Sequence, residues 1–545
     1  MGGICHCLPD SAPSSQKGVD SAICHLQGRI RALLSWRNVL APINSRLPRE
    51  VLCEIFLDLA SACFFCDAGR GIPTVHSWMA ITYVCKYWRD IALGLPRLWS
   101  LNIVHRNHIA RIERSLERSK QAPLTVRHGL FSKCLMPATV FDEMHRMRDL
   151  QVLLQDTESW LRLKDSLANA PLLEALDATV DLDVARTTGR FDYTAVAPKL
   201  RKLSLSQGSS AMFQALLCPT LVKLHVKMLM PRSVPFIDVL RRLPLLEELE
   251  LSEAFIPAVD ITVLAEPVPL LRMRALSFSE SEGWKAPASL LASLTLPSTV
   301  RIHFRAEASD GYFDDYEPLY RAIASTFADD SLAPSQHIAA CYAEGGLRML
   351  KLQLWTKKIA MRQMGATNPK RASTKAEPSQ LTIEWCGWHT GQALHALFCY
   401  FPLPKLSRLR LNDVPTYDDT WWTLAQAQNL REIKVEPHGI AVELITALQS
   451  SPPEDTAAPN GHPPPSARLF PKLEALTLRS IKWDTRTCSA GDRPLIAEVR
   501  VMLQSRRNHG TPLKRLFLEN GIDTQKTDME YLRRSEEGLE AFSWS

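Results

Sequence analysis

No stretch of this 545-residue chain is apolar over the roughly 18 consecutive residues that a bilayer-spanning helix requires. The best candidate, Ile55 to Phe65, is too short and contains Asp58. Charge of one sign is scarce as well. The formal net charge is +6, too weak at this length to announce nucleic acid, and no basic stripe interleaved with aromatics occurs. The thirteen cysteines are odd in number and have no regular spacing. The first thirty residues lack the charged, apolar, small-residue order of a secretory leader. A reduced, intracellular chain in cytoplasm or nucleus is therefore expected. A glycine-rich phosphate loop, a GxSxG elbow and a dinucleotide fingerprint are all missing. Neither an enzyme nor a cofactor is expected.

The remaining clusters point away from chemistry. Cys63 and Cys66 form a CxxC with His76 and Cys85 nearby, but a zinc site needs four converging ligands and no second CxxC occurs. Buried free thiols are the better expectation. Asp310, Asp314, Asp315 and Glu317 lack calcium-loop spacing and read as a solvated acidic turn. Trp385, Trp388, Trp421 and Trp422 read as packing residues. Lys370, Arg371 and Lys375 read as a solvated basic loop rather than a nuclear signal. At the start, His6 stands where a myristoylation signal takes Ser or Thr, whereas palmitoylation of Cys5 or Cys7 stays open.

Composition along the chain predicts its organisation. Residues 1–20 are rich in Ser, Pro and Gly and predict a disordered tail. Residues 21–42 predict an amphipathic helix: Ile23, Leu26, Ile30, Leu33 and Leu40 recur at three- and four-residue steps, with Arg37 interrupting. At about two and a half heptads the pattern is short for a coiled coil, and packing on the next module is expected. A helix should then start at Pro48 and carry Val51, Leu52, Ile55, Phe56 and Leu59 on one apolar face. Ser61 to Ser77 reads as a loop. A second helix should run from Trp78 to Gly94, with a closing turn at Pro96, Leu98 and Trp99.

From about residue 145 a new motif recurs: apolar, two variable positions, apolar, one variable, apolar. It reads Leu200, Leu203, Leu205; Leu221, Leu224, Val226; Leu246, Leu249, Leu251; and Leu347, Leu350, Leu352. Later copies are Leu406, Leu409, Leu411; Leu430, Ile433, Val435; Leu473, Leu476, Leu478; and Leu513, Leu516, Leu518, with a weaker first copy at Leu173 and Leu176. Neighbouring copies are 21, 25 and 24 residues apart at Leu200–Leu221, Leu221–Leu246 and Leu406–Leu430. Such steps match leucine-rich repeats. Each copy predicts a short strand, and the residues between copies a helix or turn that returns the chain. One unit cannot bury its own apolar face, so the units should stack. The asparagine usual three residues after the last apolar position is absent, replaced by Gly208, Leu229, Ala254 and Val414. Residues 356–378 and 450–467 break the rhythm and read as flexible insertions.

The most specific signal begins INSRLPREVLCEIFLDL at Ile43 and continues MAITYVCKYWRDIALGLPRLWS from Met79. Leu47-Pro48, Glu50-Val51-Leu52, Ile55-Phe56, Val84-Cys85, Trp88-Arg89, Ile91-Ala92 and Pro96 to Trp99 follow in dense order. This stretch, residues 43–104, resembles the F-box in its basidiomycete fungal form. The resemblance covers about a tenth of the chain, and together with the repeats beyond it the expected fold is α/β in two parts. The first is an all-α, three-helix F-box module. The second, over 145–530, is an irregular leucine-rich-repeat solenoid with parallel strands on a concave face and helices or turns on the convex one. The resemblance further implies that the module binds the Skp-type adaptor of SCF ubiquitin ligases and, through it, cullin. The implied adaptor-binding residues are Leu47, Pro48, Glu50, Val51, Leu52, Ile55, Phe56, Val84, Cys85, Trp88, Arg89, Leu98 and Trp99.

Among these, Leu47 and Pro48 are the expected direct contacts, because they sit at a helix start where little of the chain can cover them. Ile55, Val84, Trp88 and Trp99 support either fold or contact, whereas Val51, Phe56, Ile81 and Ile91 are expected in the core. A small helical unit with this many large apolar residues cannot hide them all. The solenoid should hold a target protein on the variable positions, including Lys202, Ser204, Lys223, His225, Glu248, Glu250, Arg408, Arg410, Glu432, Lys434, Arg515 and Phe517. A substrate receptor is the first expectation. A non-catalytic scaffold that binds the adaptor without delivering a substrate is the alternative.

Overall fold

The structure, a computed structural model, describes residues 15–65, 77–101, 103–105, 109–128, 136–187, 197–229, 236–254, 267–281, 284–297, 299–307, 317–328, 338–346, 349–355, 379–386, 390–401, 403, 405–416, 418–450, 469–483, 494–521, 530, 532 and 539–544. The expectations for residues 1–14, Cys66, His76, the acidic residues 310–315, Leu347, the segment 356–378, Trp388 and the segment 451–467 lie outside the described residues. The fold is mixed α/β, with eighteen α-helices, nineteen strands and a mainly parallel sheet among the described residues. Two compact units are present: Met1–Val184 with Ala195–Leu200, and Ala185–Thr194 with Arg201–Ser545.

The first unit opens with α1 (Gln16–Leu40), which starts where the Ser15 hydroxyl accepts the Gly18 N–H at 3.2 Å and stops ahead of Pro42. The expected packing of this helix on the next module fails. None of its residues is buried. The module that follows is already filled from within by Leu52, Phe56, Ala60, Trp78, Ile81, Ile91, Leu98 and Trp99. These come from α3 (Arg49–Phe65), a 3₁₀ turn at Ser77–Ala80, α4 (Ile81–Val84), α5 (Lys86–Leu93) and α6 (Pro96–Ser100), with the short α2 (Pro42–Arg46) leading in. Each fully buried large apolar side chain stabilises by about 1.5–3 kcal/mol. Trp99 donates its indole N–H to the Ala92 carbonyl at 2.8 Å and meets Trp78 edge-on at 5.2 Å.

Two boundaries differ from expectation. Helix α3 runs on to Phe65 and takes in the first five residues of the segment expected as a loop. The single helix expected from Trp78 to Gly94 is broken at Cys85, whose backbone is extended at φ −159°. Its thiol accepts the Trp88 N–H at 3.4 Å and so starts α5 afresh.

Strands begin before residue 145. β1 (Ile103–His105), β2 (Leu124–His128), β3 (Met147–Leu154) and β4 (Ala175–Val180) form a parallel set, with α7 (Ile109–Ser119) between the first two. Arg146 is buried at the head of β3. Its guanidinium donates to Glu143 at 2.6 Å, to the Ser119 hydroxyl at 2.9 Å and to the Ala122 and Leu116 carbonyls. It thereby closes the carboxyl end of α7.

In the second unit the repeat positions fall on strands. β5 (Lys202–Ser206), β6 (Lys223–Lys227), β7 (Glu248–Ser252), β9 (Ala275–Glu280) and β11 (Arg301–Glu307) run parallel, and β8 (Val268–Pro269) pairs separately with β10 (Leu294–Thr295). The order then inverts. β12 (Ala340–Gly345), β13 (Met349–Trp355) and β14 (Leu381–Cys386) insert backwards: β14 joins β11, β13 follows, and β12 meets β15 (Arg408–Asn412). β16 (Glu432–Glu436), β17 (Ala475–Arg479), β18 (Arg515–Glu519) and β19 (Ala541–Trp544) continue in parallel. Parallel strands were expected throughout. β13 is antiparallel to both neighbours because a tight turn joins it to β12, too short for a parallel crossover. Gly345 permits that turn, since a Cβ there would lie 2.2 Å from the Met349 carbonyl oxygen.

The apolar positions Leu203, Leu205, Leu224, Val226, Leu249, Leu251, Leu409, Leu411, Ile433 and Val435 are all buried. So are Leu229, Ala254 and Val414, which fill the place of the missing asparagines. The residue after a strand repeatedly takes positive φ: Gln207, Met228, Glu253, Asp413, Ser480 and Asn520. At Gln207, Met228, Glu253, Asp413 and Ser480 the N–H then bonds to the next strand at 2.7–2.9 Å.

Candidate functional site: an apolar surface on the amino-terminal helices

Helix α3 splits its apolar residues between two faces, where one was expected. Leu52 and Phe56 are fully buried. Val51, Ile55 and Leu59 stand 42%, 44% and 41% exposed. Their four-residue steps place them in one line along the helix. Glu50, Glu54 and Asp58 repeat the same step on exposed positions beside them. Val51, expected in the core, is therefore on the surface. The reason is angular: Leu52 and Phe56 already occupy the stripe that faces the core.

The other expected contact residues divide in the same way. Cys85, Leu98 and Trp99 are buried along with Leu52 and Phe56, so these five shape the module and offer no surface. Pro48, Glu50, Val84 and Arg89 are exposed. Leu47 is half-buried against the core and sits at the joint between α2 and α3. Trp88 is half-buried too. Its ring packs 5.2 Å from Phe56, and its indole N–H donates to the Asn44 side-chain oxygen at 2.7 Å. Asn44 in turn donates to the Asn38 carbonyl at 2.6 Å, which ties the end of α1 to this module. The Arg89 Nε–H donates to the Thr82 carbonyl at 2.8 Å and holds α4 on α5. Four further exposed residues of this module were not among the expected contacts: Ile43, Leu59, Tyr83 and Leu93. Leu59 was legible, since it continues the step from Val51 through Ile55.

Twenty large apolar side chains stand exposed among the described residues, and fifteen of them lie between Val19 and Leu93. Such clustering makes this stretch the candidate interaction surface, which scattered single residues would not do. No family model and no curated protein matches this chain. The chemistry on offer at this surface is contact: an apolar row, an acidic row and a helix start. Among the described residues no three His, Cys, Asp or Glu side chains converge as metal ligands, and no helix is long and apolar enough to cross a membrane.

The second unit presents a different surface. The polar positions of its strands pair across the sheet: Lys223 with Glu248 at 2.6 Å, Lys351 with Glu384 at 2.8 Å, Arg408 with Glu432 at 3.0 Å and Lys434 with Glu519 at 2.6 Å. His303 stands 3.6 Å from Glu384. His303 and Lys351 hold the Glu384 carboxyl down to about 2. The expected variable positions Lys223, Glu248, Arg408, Glu432, Lys434 and Arg515 all belong to these pairs, with Arg515 3.3 Å from Glu432. Arg410 lies 5.0 Å over the Tyr342 ring. Trp421 is buried, as a packing role requires.

Proposed function

We propose that this protein is the substrate-recognition subunit of an SCF-type ubiquitin ligase. Residues 43–104 act as an F-box and dock on a Skp-type adaptor, which brings cullin. The strand-bearing region acts as a leucine-rich-repeat solenoid and holds a target protein on the polar face of its sheet. The protein supplies effective concentration rather than bond chemistry, by keeping a target lysine near an activated thioester.

The supporting observation is the concentration of exposed apolar side chains on the amino-terminal helices, centred on the Val51, Ile55, Leu59 row. That row follows Leu47-Pro48 in the segment that resembles the F-box. The exposed members of the motif form the contact, and the buried members hold the helices in place. Glu50, Glu54 and Asp58 would set the register of the apolar row against a partner groove with basic edges.

The test is a pull-down of the full chain. Leu47→Ala with Pro48→Ala, and separately Val51→Asp with Ile55→Asp, should each lose the adaptor and cullin while keeping partners of the sheet. Loss of each anchor should cost about 2 kcal/mol of binding. The second pair is the cleaner one, because Val51 and Ile55 are exposed whereas Leu47 also packs on the core. Undiminished adaptor recovery with Val51→Asp and Ile55→Asp would refute the proposal. Deleting residues 43–104 should make a sheet-bound partner accumulate if it is a degraded target.

A further inference from the structure

Helix α1 is the longest helix in the described chain, at 25 residues, and has no buried residue. Eight of the twenty exposed large apolar side chains lie on it, with Trp36 and Leu40 more than 70% exposed. A helix gains little from its own hydrogen bonds in water and draws its stability from packing an apolar face. Gly28 in its middle weakens it further. Such a helix needs a partner that the described chain does not supply.

The spacing says what kind of partner. With Val19 brought in by the observed start of the helix, the pattern lengthens to three heptads: Val19, Ile23, Leu26, Ile30, Leu33, Arg37 and Leu40 alternate steps of four and three, the seam of a two-helix coiled coil. The seam is self-complementary in one orientation only. Two copies running antiparallel, with the twofold axis beside Gly28, overlap over the whole length of the helix. Ile23 then faces Leu33 of the second copy, and Leu26 faces Ile30. Arg37 faces Val19 and comes beside Asp20, an opposite charge at each end of the pair. In the parallel orientation Arg37 would meet Arg37 inside the seam. The one like-charge contact in the antiparallel pair is Arg29 with its own copy, on the flank, where long side chains reach water.

We infer that Gln16–Leu40 pairs with the same helix of a second copy of this chain, as an antiparallel coiled coil. The Asn38, Asn44 and Trp88 hydrogen bonds fix the carboxyl end of α1 to the helical module. The pair would therefore set two such modules at opposite ends of a rod roughly 37 Å long.

The experiment is the mass of the full-length protein by light scattering across a micromolar concentration series. Wild type should be a dimer, and Ile30→Asp with Leu33→Asp a monomer. That pair of substitutions should still recover whatever binds α3, since α1 contributes nothing buried. Arg37→Asp should weaken the dimer about tenfold, and adding Asp20→Arg should restore it. Restoration is expected only of the antiparallel pair. A monomeric wild type, or a dimer that survives Ile30→Asp with Leu33→Asp, overturns the inference. So does capture of the monomer through Leu33 by phosphatidylserine-containing vesicles or by the adaptor, because the seam would then have another occupant.

Discussion

The helices of residues 16–100 and the sheet of the second unit spend their apolar residues in opposite ways. In most strands of the sheet burial alternates, so that leucines such as Leu224, Leu249 and Leu409 vanish inward and outward positions such as Lys223, Glu248, Arg408 and Glu432 are charged and paired. In the helices apolar residues are left outside, along the whole of α1 and as a second row on α3. A strand can sort its residues between two faces by parity alone. A helix in a module this small has more surface than the core can absorb, and the surplus is available for contact. Substitutions of the same size should therefore cost folding in one region and binding in the other.

The sharpest break of this comparison is a matched truncation. Leu249→Ala should cost about 2–5 kcal/mol of stability, by lost transfer energy and a residual cavity. Ile55→Ala should stay within about 0.5 kcal/mol. Urea denaturation of the free protein measures both. A large folding cost at Ile55 would mean that α3 hides its outer row in solution. A smaller effect probes the strand ends. Gln207 holds a positive φ that glycine adopts without strain, so Gln207→Gly should raise the thermal midpoint, by up to about 1 kcal/mol in stability. A fall would show that the side chain contributes more than the strain removes.

The smallest effect concerns charge on the sheet. The Glu384 carboxyl is held down to about 2, first by His303 and then by Lys351. A carboxyl lowered in the folded state stabilises it above the ordinary carboxylate value and loses that contribution as pH falls towards about 2. Wild type should thus lose stability between about pH 4.5 and about pH 2 more steeply than Glu384→Gln, by under about 1 kcal/mol once screening at a partly exposed site is counted. Parallel acid titrations of the two proteins compare the slopes.

Spacing made most strand positions legible, because burial by parity leaves a mark at each copy. The gaps had a simple cause. Met147, Leu150, Val152 and Met273, Leu276, Phe278 keep the same spacing but open on Met, where every copy read from the sequence opens on Leu. The direction of β13 could not be read, since Leu350 and Leu352 alternate identically in either orientation and only the tight turn at Gly345 decides. The helix break at Cys85 was hidden as well: its cause is a thiol in a capping role that Ser or Asp usually fills. At the candidate site the motif located α3 but not which of its apolar residues face out. That depends on the angle at which Leu52 and Phe56 meet residues far along the chain, such as Trp88.

The backward insertion of β12, β13 and β14 has a consequence for assembly of the sheet. An array of uniform repeats can zip from either end, each new strand adding to the last. Here β11 must leave its edge bare while the chain lays down a helix, a hairpin and the return to β14, and only then does Ile302 find Leu381. The array is thus two zippers joined through an inverted segment, and the cost of closing long loops falls on two strand pairs, β11 with β14 and β12 with β15.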